Sequence, residues 1–346
     1  MRVLATLGYF DASGEGAILE IDLARGTQRT TIRQVIPEAL RVAGKGFTGA
    51  TWTGEPGRSD LIVCGFNALY RYSMPDLRHT GTLHQRCMND LHHVACDGER
   101  LFVANTGLDS IDVLTLDGRF AGGYRWQPDW LTARHLQGDA PSRSAWPSLL
   151  EPGWAGEPPE IVPEKPDGRY YLESSPIKEP HRRVIRDFIH PNHIALIGDQ
   201  VLVTRLLDHS VVDAATLRPV ITDTPGHPHD GVCDGDVFWI TCVNGVVAGY
   251  AIEGGRVTGR MIHSLDVFEL TSCTGWCRGL LVTAEHLIVG LTEIRRMPRS
   301  RWCDRPFEGT KTAVLCLDKK SGRLVACVDV GERDRHPKLF GLLEAP

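Results

Sequence analysis

The sequence predicts an all-β protein, a six-bladed β-propeller. Glycine is plentiful, 36 of 346 residues. Apolar runs are short and sustained helical periodicity is scarce, which favours many short strands. A unit of apolar strand, polar turn and second apolar strand also recurs along the chain, as expected of a repeat architecture.

The first unit starts near Arg2 and supplies VLATLGY, AILEIDL and TQRTTIRQV. The second starts near Lys45 and contains GATWTGEPGRSDLIVCGFNALYRYSM. The third, from Asn89 to Tyr124, is the clearest. Strands are expected over Leu91–Cys96, Leu101–Ala104 and Ile111–Thr115, and a fourth ends near Tyr124. Turns at Asp97-Gly98, Asn105-Thr106-Gly107 and Asp117-Gly118 divide them. Copies of its first hairpin, VACDGERLFVANT, are IALIGDQVLVTRL from Ile194 and GVCDGDVFWITCV from Gly231. LLVTAEHLIVGLT from Leu280 is a weaker one. They place further units near His190, His227 and Thr274, the last with TAVLCLD and RLVACVDV as outer strands. Six blades in one domain, 1–346, fit this length; seven is the alternative count. The tail HPKLFGLLEAP is expected to close the ring beside the first blade.

One segment breaks the pattern. From Gln127 to Asp187 the chain is rich in Pro and Trp and lacks periodicity. A stretch this long between strands is a lid or a disordered segment, and its tryptophans favour a packed lid. A short helix is expected at Asp129–His135.

Composition excludes several classes. The formal net charge is -5 with a pI near 6.3, and no basic stripe is present, so nucleic acid is not an expected partner. The N-terminal MRVLATLGYF turns polar too soon for a signal peptide or membrane span. A soluble, cytoplasmic protein with no membrane partner is expected. There are ten cysteines but no CxxC. Cys64, Cys96, Cys233, Cys242, Cys316 and Cys327 lie inside apolar strand patterns, where a thiol acts as a small buried hydrophobe. The closest spacing is Cys273 to Cys277. No GxSxG, Walker A, HExxH or dinucleotide fingerprint occurs.

The functional signal is in the blade openings. They read Asn89-Asp90-Leu91-His92-His93, His190-Pro191-Asn192-His193, His227-Pro228-His229-Asp230 and Gly275-Trp276-Cys277-Arg278. The innermost strand of each blade lines the channel, so equivalent positions converge on one axis. In register, His92 falls with Asn192, His229 and Arg278, and His93 with His193 and Asp230. Several imidazoles around one axis suit a divalent metal such as Zn, Fe, Mn or Cu. His92, His193, His229 and His190 are the expected ligands. His93 and Asp230 are acid–base candidates, and Arg278 and Arg205 would fork onto a substrate anion. Asn89, Asp90 and Asp230 would orient the histidines. The bland reading is that such residues only satisfy buried backbone groups and channel waters.

These openings, with GWCRGLLVTAEHLIVGLTEIRR (275–296), resemble a family of uncharacterised bacterial β-propeller proteins. Arg278-Gly279-Leu280 and Gly290 to Arg295 match its C-terminal RGL…VGL-S-IRE phrase. His92 to Ala95, His190 to Ala195 and Pro228 to Asp230 are similar to its earlier elements, and the likeness spans residues 89–340. The chain departs at His93, His193 and Asp230. The ring shared with the family is therefore His92, His190 or Asn192, His229 and Arg278. More distantly, the chain resembles six-bladed lactonase and amidating-lyase propellers. That resemblance implies a metal enzyme with its site on the axis.

The expected function is an enzyme with a His-rich, metal-binding axial site. It would act on a small anionic or polar molecule by lyase, hydrolase or isomerase chemistry. The alternatives are a non-catalytic propeller binding a protein or small ligand, and an oxygen-dependent metalloenzyme.

Overall fold

Alternating apolar residues and tight polar turns fold each repeat into an antiparallel sheet, and six such sheets close into a ring. The fold is seen in a computed structural model of the chain. It describes residues 1–125, 148–150, 189–295 and 309–346, except 12, 38, 39, 43, 86, 87, 217, 333 and 334.

The first sheet holds β1 (Arg2–Tyr9), β2 (Gly16–Asp22) and β3 (Thr27–Gln34). The second holds β4 (Gly49–Trp52), β5 (Leu61–Cys64), β6 (Leu69–Ser73) and β7 (Arg78–Gln85). The third holds β8 (Leu91–Cys96), β9 (Arg100–Asn105), β10 (Ser110–Thr115) and β11 (Phe120–Arg125). A short strand, β12 (Ser148–Leu150), pairs with the outer edge of the second blade. It lies in the segment that the sequence leaves without strand patterning. The rest of 127–187, with the expected lid and helix, lies outside the described residues. The fourth sheet holds β13 (Pro191–Ile197), β14 (Gln200–Arg205), β15 (Ser210–Asp213) and β16 (Arg218–Ile221). The fifth holds β17 (Pro228–Asp234), β18 (Val237–Cys242), β19 (Val246–Glu253) and β20 (Arg256–Asp266). The sixth holds β21 (Trp276–Val282), β22 (His286–Thr292), β23 (Ala313–Asp318) and β24 (Leu324–Asp329).

The last strand, β25 (Pro337–Glu344), pairs antiparallel with β1 and becomes the innermost strand of the first blade. The count is six, and the tail closes the ring as expected. The inner strands β25, β4, β8, β13, β17 and β21 each neighbour the next around the axis. The apolar core lies between blades. Ile62, Cys64 and Leu83 of the second pack against Val94, Leu101 and Val103 of the third. Ile240 and Tyr250 of the fifth pack against Leu202 and Val211 of the fourth. Burying these faces against the neighbouring blade is the main drive for ring closure.

The thiols split more than the sequence implies. Cys64, Cys242 and Cys316 are buried, Cys96 is half-buried, and Cys233 and Cys327 are exposed. Period-two alternation turns Cys327 outward on the last strand of its blade. No helix among the described residues is long and apolar enough to cross a membrane.

Candidate functional site

Strict alternation would send His92 and His93 to opposite faces of β8. A β-bulge intervenes: Leu91 pairs with Asn105 and His93 with Ala104, so His92 is an extra residue. The same irregularity recurs around the ring. Asn192 is extra between Pro191 and His193, and His229 between Pro228 and Asp230. Arg278 and Gly279 together oppose Gly290. In the closing strand Phe340 is extra between Leu339 and Gly341. Five of the six inner strands therefore present a bulged residue: His92, Asn192, His229, Arg278 and Phe340.

These residues meet on the axis. The His92 and His229 rings lie 6.2 Å apart between centroids, and His92 and Phe340 6.5 Å. The Arg278 guanidinium sits 4.2 Å over Phe340 and 5.4 Å from Trp276. With Lys45, Asp90, His190 and Lys338, the side chains of His92, His229, Arg278, Phe340 and Trp276 line a funnel of about 330 Å³, while Asn192 belongs to the chamber below. Below it His93, His193 and Asp230 enclose a chamber of about 20 Å³, room for a single water.

Asp90 and His190 hold the same place, one residue before β8 and β13, with φ of 50° and 54°. Non-glycine residues rarely adopt this left-handed conformation, and those that do cluster at functional sites. Asp90 Oδ1 accepts from Lys45 Nζ at 3.1 Å and lies 3.5 Å from His92 Nε2. Burial opposes its ionisation, yet Lys45, His92 and His190 hold it well below the usual carboxylate range. His190 stands edge-on to His92 with centroids 4.7 Å apart.

Burial pushes His92 down to about 4, against the pull of Asp90. Burial also lowers His229, although Asp230 Oδ2 lies 3.4 Å from its Nδ1. Both imidazoles are therefore neutral near pH 7. His92 Nδ1 and both His229 ring nitrogens have no hydrogen-bond partner; the Asp230 contact is too poorly aligned to count as one. Arg278 is 8% exposed and its Nε donates to Thr292 Oγ1 at 3.2 Å. Burial lowers it to about 10, so it stays a cation at neutral pH. No carboxylate among the described residues is recorded in an ion pair with it.

The lower chamber is partly satisfied. His93 and His193 stack at 3.6 Å, and His93 Nδ1 accepts the Ile194 N–H at 3.3 Å. Asp230 Oδ2 accepts the Gly279 N–H at 2.8 Å and the Thr241 hydroxyl. Burial drives His93 well below its ordinary value and His193 down to about 4. His193 Nδ1 and Asn192 Oδ1, which also face this chamber, have no hydrogen-bond partner.

Of the expected site residues, His92, His190, His229 and Arg278 come together in the funnel, and His93, His193 and Asp230 beneath it. Arg205 does not line either chamber; it pairs with Asp208 and with Ser210 Oγ at 3.1 Å. Asn89 does not orient a histidine, since its side-chain amide has no hydrogen-bond partner. Sequence reasoning missed Lys45, Trp276, Lys338 and Phe340 as site residues. Lys45 lies four residues before its inner strand, whereas Asp90 and His190 lie one before theirs, so the alignment of blade openings does not mark it. Neutral imidazoles suit a divalent metal chemically, but the donors are not gathered. Among the described residues, three potential ligand atoms within 4.8 Å of one another occur only at Cys273, Cys327 and Asp329.

Among solved structures, the chain is similar to a protein of unknown function from Bacteroides caccae. The match covers 99% of this chain and 98% of that one at 8% identity, with a TM-score of 0.57. A candidate 6-phosphogluconolactonase from Bacteroides fragilis matches over 95% and 82% at 11% identity, TM-score 0.52. A functionally unknown protein from Desulfotomaculum acetoxidans matches over 98% and 89% at 9% identity, TM-score 0.50. At these identities the likeness shows the fold alone. No family model and no curated protein sequence matches the chain.

Proposed function

We propose that the axial funnel is the active site of an enzyme that binds a small anion and moves a proton on it, in hydrolase, lyase or isomerase chemistry. The observation that carries this reading is Arg278: a buried cation in no direct ion pair among the described residues, with only the field of Asp230 favouring its charge, facing two neutral imidazoles. A buried cation without a direct ion pair is costly, and an anionic ligand would supply that contact. Lys45 and Lys338 add positive charge to the lining against the single carboxylate of Asp90.

His92 and His229 are assigned the proton transfer. Asp90 faces His92 Nε2 and Asp230 faces His229 Nδ1. This leaves His92 Nδ1 and His229 Nε2 as the basic atoms. Phe340 and Trp276 exclude water and hold the guanidinium flat. The bulges fix these side chains on strands rather than on loops.

A second reading keeps a divalent ion, with His92, His190 and His229 turning inward to hold it. The unpartnered nitrogens of His92 and His229 favour it.

The deciding experiment is thermal denaturation with millimolar phosphate, citrate or 6-phosphogluconolactone, on the wild type and Arg278→Gln. The lactone is included because one fold neighbour is a candidate 6-phosphogluconolactonase. We expect at least one anion to raise the wild-type Tm by several degrees, with at least a tenfold loss of affinity in the variant. No shift with any anion would overturn the anion reading. Near one metal per chain by mass spectrometry, lost on His92→Ala, would move the assignment to the second reading.

A further inference from the structure

Cys273 and Cys327 are 54 residues apart and belong to different parts of the sixth repeat. Cys273 lies in the segment leading into β21, and Cys327 is on the outermost strand of the blade. Their sulfurs are 3.3 Å apart. Among the described residues, no other two cysteine sulfurs are recorded at hydrogen-bond distance. Cys273 is 3% exposed, whereas Cys327 is exposed, so one thiol is open to solvent reagents and the other waits behind it.

The surroundings hold the pair together. The Cys273 N–H donates to Thr271 Oγ1 at 3.1 Å, and the Lys311 N–H donates to Thr274 O at 3.1 Å. These contacts fix the lead-in segment against the blade. Cys327 pairs with Leu315 and Asp329 with Ala313, which sets Cys327 and Asp329 two apart on one face of β24. Lys311 Nζ lies 2.5 Å from Asp329 Oδ1. Asp329 chiefly holds the lysine more firmly charged than usual; burial opposes it, and Cys273 adds to the hold. Burial and the Cys273 contact push the Cys327 thiol up to about 11, and Lys311 pulls it back towards the thiolate, the reactive form.

We propose that Cys273 and Cys327 are a redox-active dithiol that closes to a disulfide. The sulfurs must approach by about 1.3 Å to reach bonding distance. The two S–H groups give up two electrons and two protons and an S–S bond forms. With hydrogen peroxide as oxidant, the O–O bond breaks and two waters leave. A zinc site would use the same two sulfurs and Asp329. The Lys311 ammonium already occupies the cationic corner of that cluster, which favours the disulfide.

The test treats the reduced full-length protein with one equivalent of hydrogen peroxide, blocks free thiols with N-ethylmaleimide and maps peptides without reduction. A cross-linked Cys273–Cys327 peptide is expected, reversed by dithiothreitol and absent in Cys327→Ser. Lys311→Met should slow its formation several-fold. Sulfinic acid on Cys327 with no cross-link, or bridges spread over other cysteines, would overturn the proposal. So would one zinc per chain released by thiol modification.

Discussion

The two chambers on the axis are made from neighbouring residues of the same strands, yet one is open and the other filled. His92 and His229 face the funnel, while His93, His193 and Asp230 close the space beneath. The bulge makes this possible, because it lets two consecutive residues reach the axis at different depths. The upper level keeps unpartnered ring nitrogens and a buried guanidinium. At the lower level His93 and Asp230 are held by backbone N–H groups and the Thr241 hydroxyl, while His193 Nδ1 and Asn192 Oδ1 stay unpartnered. One level is built to receive something, and the other to hold the strands in register.

The largest test of that division is pH. His92 above and His193 below are each pushed to about 4 by burial, against about 6.5 when unfolded. Between these values the unfolded chain takes up protons that the folded chain refuses. Stability from this source is complete above about pH 6.5 and is lost as the pH falls towards 4. At pH 5 the loss is roughly 2 kcal/mol for each histidine. Urea denaturation at pH 7.5 and pH 5 reads it, and His193→Gln should remove one such share, roughly 2 kcal/mol, while His92, His93 and His229 keep theirs. A stability independent of pH over this range would mean that both chambers are well hydrated.

Asp230→Ala tests the lower level. It strips partners from the Gly279 N–H and the Thr241 hydroxyl and should cost roughly 3 kcal/mol. Denaturation midpoints that stay put would make Asp230 a residue of the funnel alone. Gly49→Ala is milder. A Cβ there would lie 2.7 Å from the His92 carbonyl oxygen and 3.0 Å from His93 Cα. The strand beneath both levels must shift, at about 1–3 kcal/mol, and anion affinity should fall with stability. Loss of stability with affinity intact would separate the bulge from the site.

The ring of blades was legible because turn chemistry and apolar alternation repeat in sequence. The third repeat shows this best: its first strand was expected over Leu91–Cys96 and is found there. The grouping of His92 with Asn192, His229 and Arg278 was legible for the same reason, since the openings align. The bulges were not. Alternation alone would put His92 or His93 on the axis but not both, and the extra residue appears only when two strands are paired. Phe340 lies in the tail, outside any aligned opening, so nothing local marks it as a wall of the funnel. Cys273 and Cys327 escaped for a similar reason: their contact exists only once the lead-in segment folds across the blade.

The closing strand has a consequence for synthesis. Phe340 and Lys338 enter the funnel from β25, which leaves the ribosome after the other five inner strands. Until it docks against β1, the first blade lacks its inner edge and Arg278 lacks the ring on which it lies. Each molecule therefore gains its site in the same event that seals its fold, and a partly made copy can hold neither.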